Sequence, residues 1–194
     1  MSQLIAILID YKILSYKKNR GGNTKMTREL WLLRHGKSDR DLAMDDFDRP
    51  LKKRGKRAAQ HIGEGLHQQH LIPDWIVSSP AKRAINTANI VHKAIAVDGL
   101  VVAQDKRLYQ EGFERLKTVL AECPSNAGQV LLVGHNPELE DLLIYLVGAV
   151  HLPDTDKLLP TAALVRLIMP DDWSHLDAGS AKLLSITYAK SLPE

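Results

Sequence analysis

The sequence predicts a single α/β domain, and three observations carry that prediction. At 194 residues the chain has room for one domain with a substantial core and little for a second. Short apolar runs ending in small or polar residues alternate with segments whose apolar residues recur every three or four positions, the pattern of buried strands followed by amphipathic helices. A composition of 44% apolar and 25% charged residues is ordinary for a soluble globular protein.

Residues 1–26 stand apart. Leu4 to Ile9 is apolar, but six residues cannot span a bilayer and Asp10 interrupts the run. No basic residue precedes it, as a secretory signal requires. The polar stretch Lys17-Lys18-Asn19-Arg20-Gly21-Gly22-Asn23 follows, and Met26 precedes the first convincing strand. These residues are expected to form an extension, disordered or loosely attached, with Met26 as the working start and residues 27–194 as the domain.

Leu30-Trp31-Leu32-Leu33 places a buried strand over residues 29–34, ending in Arg34-His35-Gly36. Residues 38–50 form an acidic, turn-rich loop containing Asp39, Asp41, Asp45, Asp46 and Asp48, suited to act as a flap. Leu51, Ala58, Ile62 and Leu66 recur at helical spacing and Pro73 closes the segment, so a helix is expected over 51–69. Trp75-Ile76-Val77 makes a second buried strand over 74–78, running into Ser78-Ser79-Pro80. Serine followed by proline predicts the next helix start, the hydroxyl accepting from an orphan amide and proline filling the first helical position. Ala81, Ala84, Ile85, Ala88, Val91 and Ile95 then form the buried stripe, which puts Arg83 in the first turn, where anions are favoured.

A strand is expected within 100–108 and a helix over 112–122. Residues 129–133 read as another buried strand, ending in Gly134-His135-Asn136-Pro137, with Asn136 as helix cap and Pro137 at the first position. Residues 161–169 and 183–188 read as two closing strands.

The single cysteine, Cys123, excludes an internal disulfide and a multi-cysteine metal site, and fits a reducing cytoplasm. The net charge of +3 is modest, but Arg49, Lys52, Lys53, Arg54, Lys56 and Arg57 crowd together. A solvated helix face is the favoured reading over a nucleic-acid patch; a basic rim attracting anionic substrates is the third. His61, His67 and His70 fall on or near the polar side of the 51–69 helix and are read as solvated rather than metal-binding.

Three strand ends therefore present Arg34 with His35, Arg83, and His135 to one edge of one sheet, the edge where open α/β sheets bind ligands. Alone, an arginine after a strand is usually a surface residue and a loop histidine a hydrogen-bonding one; together they suit phosphoryl transfer. A neutral imidazole nitrogen can take the phosphoryl group covalently. Guanidinium forks and a second, protonated imidazole can stabilise the charge spread over its oxygens.

The chain resembles the histidine phosphatase superfamily, whose fold is phosphoglycerate mutase-like, and within it the small SixA-type phosphohistidine phosphatases. The matching segments are Leu33-Arg34-His35-Gly36-Lys37-Ser38, Asp48-Arg49-Pro50-Leu51 with Gly55, Val77-Ser78-Ser79-Pro80-Ala81-Lys82-Arg83-Ala84 with Thr87, and Val133-Gly134-His135-Asn136-Pro137. By that resemblance the fold is a three-layer α/β/α sandwich with a mostly parallel sheet, and the chain is too compact for a large cap insertion. His35 is implied as nucleophile, Arg34 and Arg83 as phosphoryl ligands and His135 as stabiliser, with no metal or cofactor; Ser38 and Asn136 are the further substrate-binding candidates. The proton donor is open: Glu111 lies in the right region, although a helix-start carboxylate is its ordinary role, and Asp39 or Asp46 could swing in from the flap.

The expected function is a cytoplasmic, metal-independent phosphohydrolase, monomeric or weakly dimeric, acting on phosphohistidine in a signalling or phosphotransfer protein. An imidazole leaves without the placed acid that an alkoxide needs, an acid typically worth ~10²–10⁴ in rate. The alternatives are a phosphomonoesterase or mutase for a small phosphorylated metabolite and a noncatalytic phosphate-binding module. Nucleic acid and membrane are not expected partners.

Overall fold

The computed structural model describes residues 27–40 and 43–189; the expectations for residues 1–26 lie outside them. Six strands form one sheet: β1 (Arg28–Arg34), β2 (Trp75–Ser78), β3 (Val102–Gln104), β4 (Gln129–Gly134), β5 (Ala163–Met169) and β6 (Lys182–Tyr188). Four helices accompany them: α1 (Lys53–Gln68), α2 (Lys82–Ile95), α3 (Phe113–Ala121) and α4 (Glu138–Val147). The strand order is β3-β2-β4-β1-β5-β6. The first four strands are parallel, while β5 runs antiparallel to β1 and β6 to β5.

Period-two alternation along the central strands divides the core into two layers. Leu30, Leu32, Val130 and Leu132 point to one face and pack with Leu116, Val119 and Leu120 of α3 and Leu139, Leu142, Leu143 and Leu146 of α4. Trp31, Leu33, Leu131 and Val133 point to the other and pack with Ala59, Ile62 and Leu66 of α1 and Ala84, Ala88, Val91 and Ile95 of α2. The result is an α/β/α sandwich with a mostly parallel sheet, as the resemblance implied. Each of these large side chains contributes about 1.5–3 kcal/mol by leaving water.

This arrangement positions the site. The helix after β1 lies on one face and the helix after β4 on the other, yet β1 and β4 are neighbours paired from Glu29↔Gln129 to Arg34↔Gly134. Their connections diverge and leave a crevice beyond the strand ends, a topological switch point. His35 and His135 open the two diverging connections, and the His35 amide still donates to the Gly134 carbonyl at 3.1 Å.

Both proline-based helix starts differ from expectation. Helix α2 begins at Lys82 with Ala81, not Ser79, as its N-cap; the Ser79 hydroxyl accepts from the Ala81 amide at 3.3 Å, as expected of it, and meets the His135 ring as well. Helix α4 is preceded by Pro137 as N-cap, again with no side-chain cap, because the Asn136 amide group donates to the Leu159 carbonyl at 3.1 Å. In both places the side chain expected to cap a helix is drawn to the crevice. The expected strand within 100–108 is only three residues long and gives way to a 3-10 turn at Lys106–Leu108 capped by Asp105.

The turn after β1 requires glycine. A Cβ on Gly36 would lie 2.6 Å from the Gly55 carbonyl oxygen, and one on Gly55 would run into the Lys37 carbonyl. The contact is between backbones, so it cannot relax by a rotamer change. Gly36→Ala and Gly55→Ala are each expected to lower stability by about 1–3 kcal/mol, read as a lower urea midpoint at unchanged m-value.

Candidate active site

A cleft of about 190 Å³ at the switch point is lined by Arg34, His35, Lys37, Ser38, Arg40, Asp46, Arg49, Arg83, Gln110, His135, Asn136 and Thr161. Arg34, His35, Arg83 and His135, brought by β1, α2 and β4, thus share one pocket, and Ser38 and Asn136 line it too. The imidazole centroids of His35 and His135 are 5.1 Å apart.

The tautomer of His35 follows from its partners. Nδ1 lies 2.7 Å from the Gly36 carbonyl, which can only accept, so Nδ1 carries the proton. Nε2 lies 3.2 Å from Arg83 Nε, which can only donate, so Nε2 holds a lone pair. Burial, with Arg83, Arg34 and Arg49 nearby, lowers the His35 pKa to about 3 against the weaker support of the Gly36 carbonyl. A buried neutral imidazole with its lone pair facing a cationic cleft is equipped to attack an electrophilic phosphorus.

Gly36 and Arg83 are held in one network. The Gly36 amide donates to Thr87 Oγ1 at 3.0 Å, and the Thr87 hydroxyl donates to the Arg83 carbonyl at 2.7 Å. The first turn of α2 is thereby tied to the β1 turn. Arg34 donates to the Leu159 carbonyl at 2.6 Å.

His135 differs from the protonated imidazole expected beside the nucleophile. Burial first, then His35 and Arg83, push its pKa down to about 3, so it is neutral in the unliganded protein. Its Nε2 is 2.8 Å from Ser79 Oγ and its Nδ1 has no protein partner. The buried atoms Arg34 Nε, Arg49 Nε and Asn136 Oδ1 likewise lack partners. All four belong to cleft residues, and unmet buried polar groups are costly. Three of the four are nitrogens suited to donate to an oxyanion.

The carboxylates sort clearly. Glu111, expected near the acid position, is exposed and pairs with Arg115 at 3.7 Å; it does not line the cleft. Its neighbour Gln110 does, adopting φ 58°. Asp39 pairs with Lys52 at 3.3 Å. Asp46 alone of the flap candidates reaches the cleft: its Oδ2 accepts from Arg83 Nη2 at 2.7 Å and from the Tyr109 hydroxyl at 2.9 Å, and Arg49 pairs with its other oxygen. Burial opposes ionisation of Asp46, but Tyr109, Arg83 and Arg49 outweigh it and hold the carboxyl below its usual range.

Tyr109, Arg49 and Thr87 therefore contact the site without having been singled out for it: Tyr109 lies two residues before Glu111, and Arg49 and Thr87 stood only as motif residues, Arg49 also in the basic cluster. Of the histidines on the 51–69 segment, His67 Nδ1 lies 2.9 Å from the Ile95 carbonyl at the end of α2. Among the described residues no cluster of His, Cys, Asp and Glu is arranged to hold a metal ion, and no helix is long and apolar enough to cross a membrane.

Comparison with known proteins places this site in context. Residues 30–111 match the family model of the histidine phosphatase superfamily (branch 1). A 2,3-bisphosphoglycerate-dependent phosphoglycerate mutase of Bifidobacterium longum is 36% identical over 96 residues, 47% of this chain and 39% of that protein; the match thus spans about two fifths of that relative's length. An uncharacterized protein of Mycobacterium tuberculosis is 27% identical over 157 residues, covering 78% of this chain and 96% of that one. Two solved structures, both SixA phosphohistidine phosphatase candidates, are similar along almost their whole length. That from Agrobacterium tumefaciens has 26% identity and a TM-score of 0.69, covering 83% of this chain and 97% of its own. That from Nakamurella multipartitia has 28% identity and a TM-score of 0.70, covering 84% and 96%.

The two buried imidazoles make stability depend on pH. Histidine in the unfolded chain titrates near 6.5, whereas His35 and His135 in the fold titrate near 3, so between these values the unfolded state binds more protons. The stability they contribute is full above pH about 6.5 and is lost progressively as the pH falls towards 3. The wild-type urea midpoint is expected to fall between pH 7 and pH 5, and to fall less steeply in a His35→Asn/His135→Asn double variant.

Proposed function

We propose that this chain, which belongs to the histidine phosphatase superfamily, is a phosphohydrolase that works through a covalent phosphohistidine at His35. The observation that carries the reading is the neutral His35, its Nε2 lone pair turned to a cleft rich in guanidinium groups and beside a second imidazole.

In the first step His35 Nε2 attacks the substrate phosphorus; the new N–P bond forms as the bond to the leaving group breaks. The proton stays on Nδ1, hydrogen-bonded to the Gly36 carbonyl, which stabilises the positive charge growing on the ring. Arg34 and Arg83 take the phosphoryl oxygens, replacing water with fixed donors where charge develops. The dianion would also raise the proton affinity of His135, favouring an imidazolium that donates from both ring nitrogens over the neutral ring of the free protein. Water then attacks phospho-His35, releasing inorganic phosphate and restoring the lone pair.

The acid inventory favours an activated donor. Among the described residues lining the cleft Asp46 is the one carboxylate, and it is held ionised by its cationic neighbours, so it is poorly prepared to protonate an alkoxide. A phosphohistidine substrate releases an imidazole that leaves without such help. The likeness to the Agrobacterium and Nakamurella proteins supports the same substrate class. The partial match to phosphoglycerate mutases favours a second reading, a phosphomonoesterase or mutase for a small metabolite.

The test is hydrolysis, with chelator present, of a labelled phosphohistidine protein and a panel of phosphate esters. Wild-type protein is expected to form an acid-labile phosphoenzyme and to prefer the phosphohistidine protein. His35→Ala should lose at least about 10³-fold in turnover, and Arg83→Lys on the order of 10²-fold through loss of the planar fork. Faster turnover of small esters would select the second reading, and unchanged phosphate binding with no turnover in the wild type would indicate a binding module.

A further inference from the structure

The guanidinium that should grip the substrate is already occupied. Arg83 donates through Nε to His35, through Nη1 to the Asp46 backbone carbonyl and through Nη2 to the Asp46 carboxylate. The same carboxylate is bound by Arg49 and by the Tyr109 hydroxyl. An anion thus sits across two cations of the cleft, held by the kind of donors that a phosphoryl group requires.

The two partners differ in freedom. The Arg83 side chain is 5% exposed and that of Asp46 43%. Arg83 is fixed in the first turn of α2, while Asp46 begins a single 3-10 turn at Asp46–Asp48, with Phe47 resting edge-on against Tyr109 at a ring separation of 5.2 Å. Of the pair, the carboxylate is the one able to withdraw. Its exposure also keeps the pair from being a strong structural element, since partly exposed ion pairs contribute little to stability.

We propose that Asp46 is an internal competitor for the phosphoryl site: its carboxylate occupies Arg83 and Arg49 in the empty protein and is displaced by the incoming phosphoryl group, so that Asp46 sets the affinity of the site for phosphate. This rests on the reading of the cleft as a phosphoryl site. Asp46 neutralises part of the cationic cluster while the site is empty. A phosphoryl dianion brings more charge and more acceptor oxygens than a carboxylate, and the cleft that would receive it is also lined by Arg34 and His135, whose Nε and Nδ1 have no protein partner. When it binds, Arg83 Nε is drawn from His35 Nε2 towards a phosphoryl oxygen, which uncovers the lone pair. Displacement of Asp46 and release of the nucleophile are then one event.

The test is calorimetric titration of the full chain with inorganic phosphate at pH 7.5, paired with steady-state kinetics. Asp46→Asn keeps the shape and removes the charge; it is expected to bind phosphate about tenfold more tightly and to lower KM with little change in kcat. Tyr109→Phe, which removes one anchor of the carboxylate and leaves its charge, is expected to tighten binding by a smaller factor and stands in if Asp46→Asn does not fold. Equal or weaker phosphate binding in Asp46→Asn overturns the proposal, as does a fall in kcat at unchanged phosphate affinity; in either case His35-dependent hydrolysis by the wild type leaves the phosphohydrolase reading standing. Absence of phosphate binding and of hydrolysis in every variant overturns both.

Discussion

The 2.7 Å hydrogen bond from His35 Nδ1 to the Gly36 carbonyl is the constraint on which the rest of the site depends. It fixes which ring nitrogen is free, and it fixes the ring's orientation with a group that has no alternative role. That carbonyl can be there only because Gly36 lies against the backbone of Gly55. The Gly36 amide in turn ties to Thr87, and Thr87 to the Arg83 carbonyl. One chain of hydrogen bonds runs from the end of β1 through the start of α2, and the imidazole and the guanidinium are set by the same backbone.

The sheet supplies the place where these groups meet. Neighbouring strands β1 and β4 send their helices to opposite faces, so the space beyond their ends is left open while everything beneath it is packed. The core layer under α1 and α2 ends at Leu33 and Val133, both fully buried, next to the Arg34 and Gly134 that lead into the cleft. Polar side chains at the mouth thus stand on an apolar floor, which excludes water from one side and strengthens the interactions among them.

That environment explains the charge states. Two imidazoles, several guanidinium groups and little solvent favour neutral rings, and both histidines titrate near 3. The arrangement suits a nucleophile, which needs its lone pair, and leaves the second imidazole dependent on a bound anion for a second proton. Among the described residues Asp46 is the one negative group lining the cleft, and its carboxylate pairs with two of the cations there, Arg83 and Arg49.

The alternation of apolar residues, the order of the motifs and the glycine after His35 are local properties, and from them the strands, the helices and the convergence of Arg34, His35, Arg83 and His135 were legible in the chain alone; the layering of helices on both faces was implied only by the family resemblance. The antiparallel pairing of β5 and β6 was not, because it depends on partners far along the sequence. Nor was the pairing of Ser79 with His135 or the diversion of Asn136 to the Leu159 carbonyl, since those partners are brought near only by the fold. Glu111 was expected near the cleft, but it is exposed and its neighbour Gln110, whose backbone takes φ 58°, lines the cleft. Asp46, Tyr109 and Arg83 meet across separations of 63 and 37 residues. Sequence periodicity determined which faces are buried; tertiary structure decided which charges share a pocket, because an electrostatic partner is set by distance in space and carries no period along the chain.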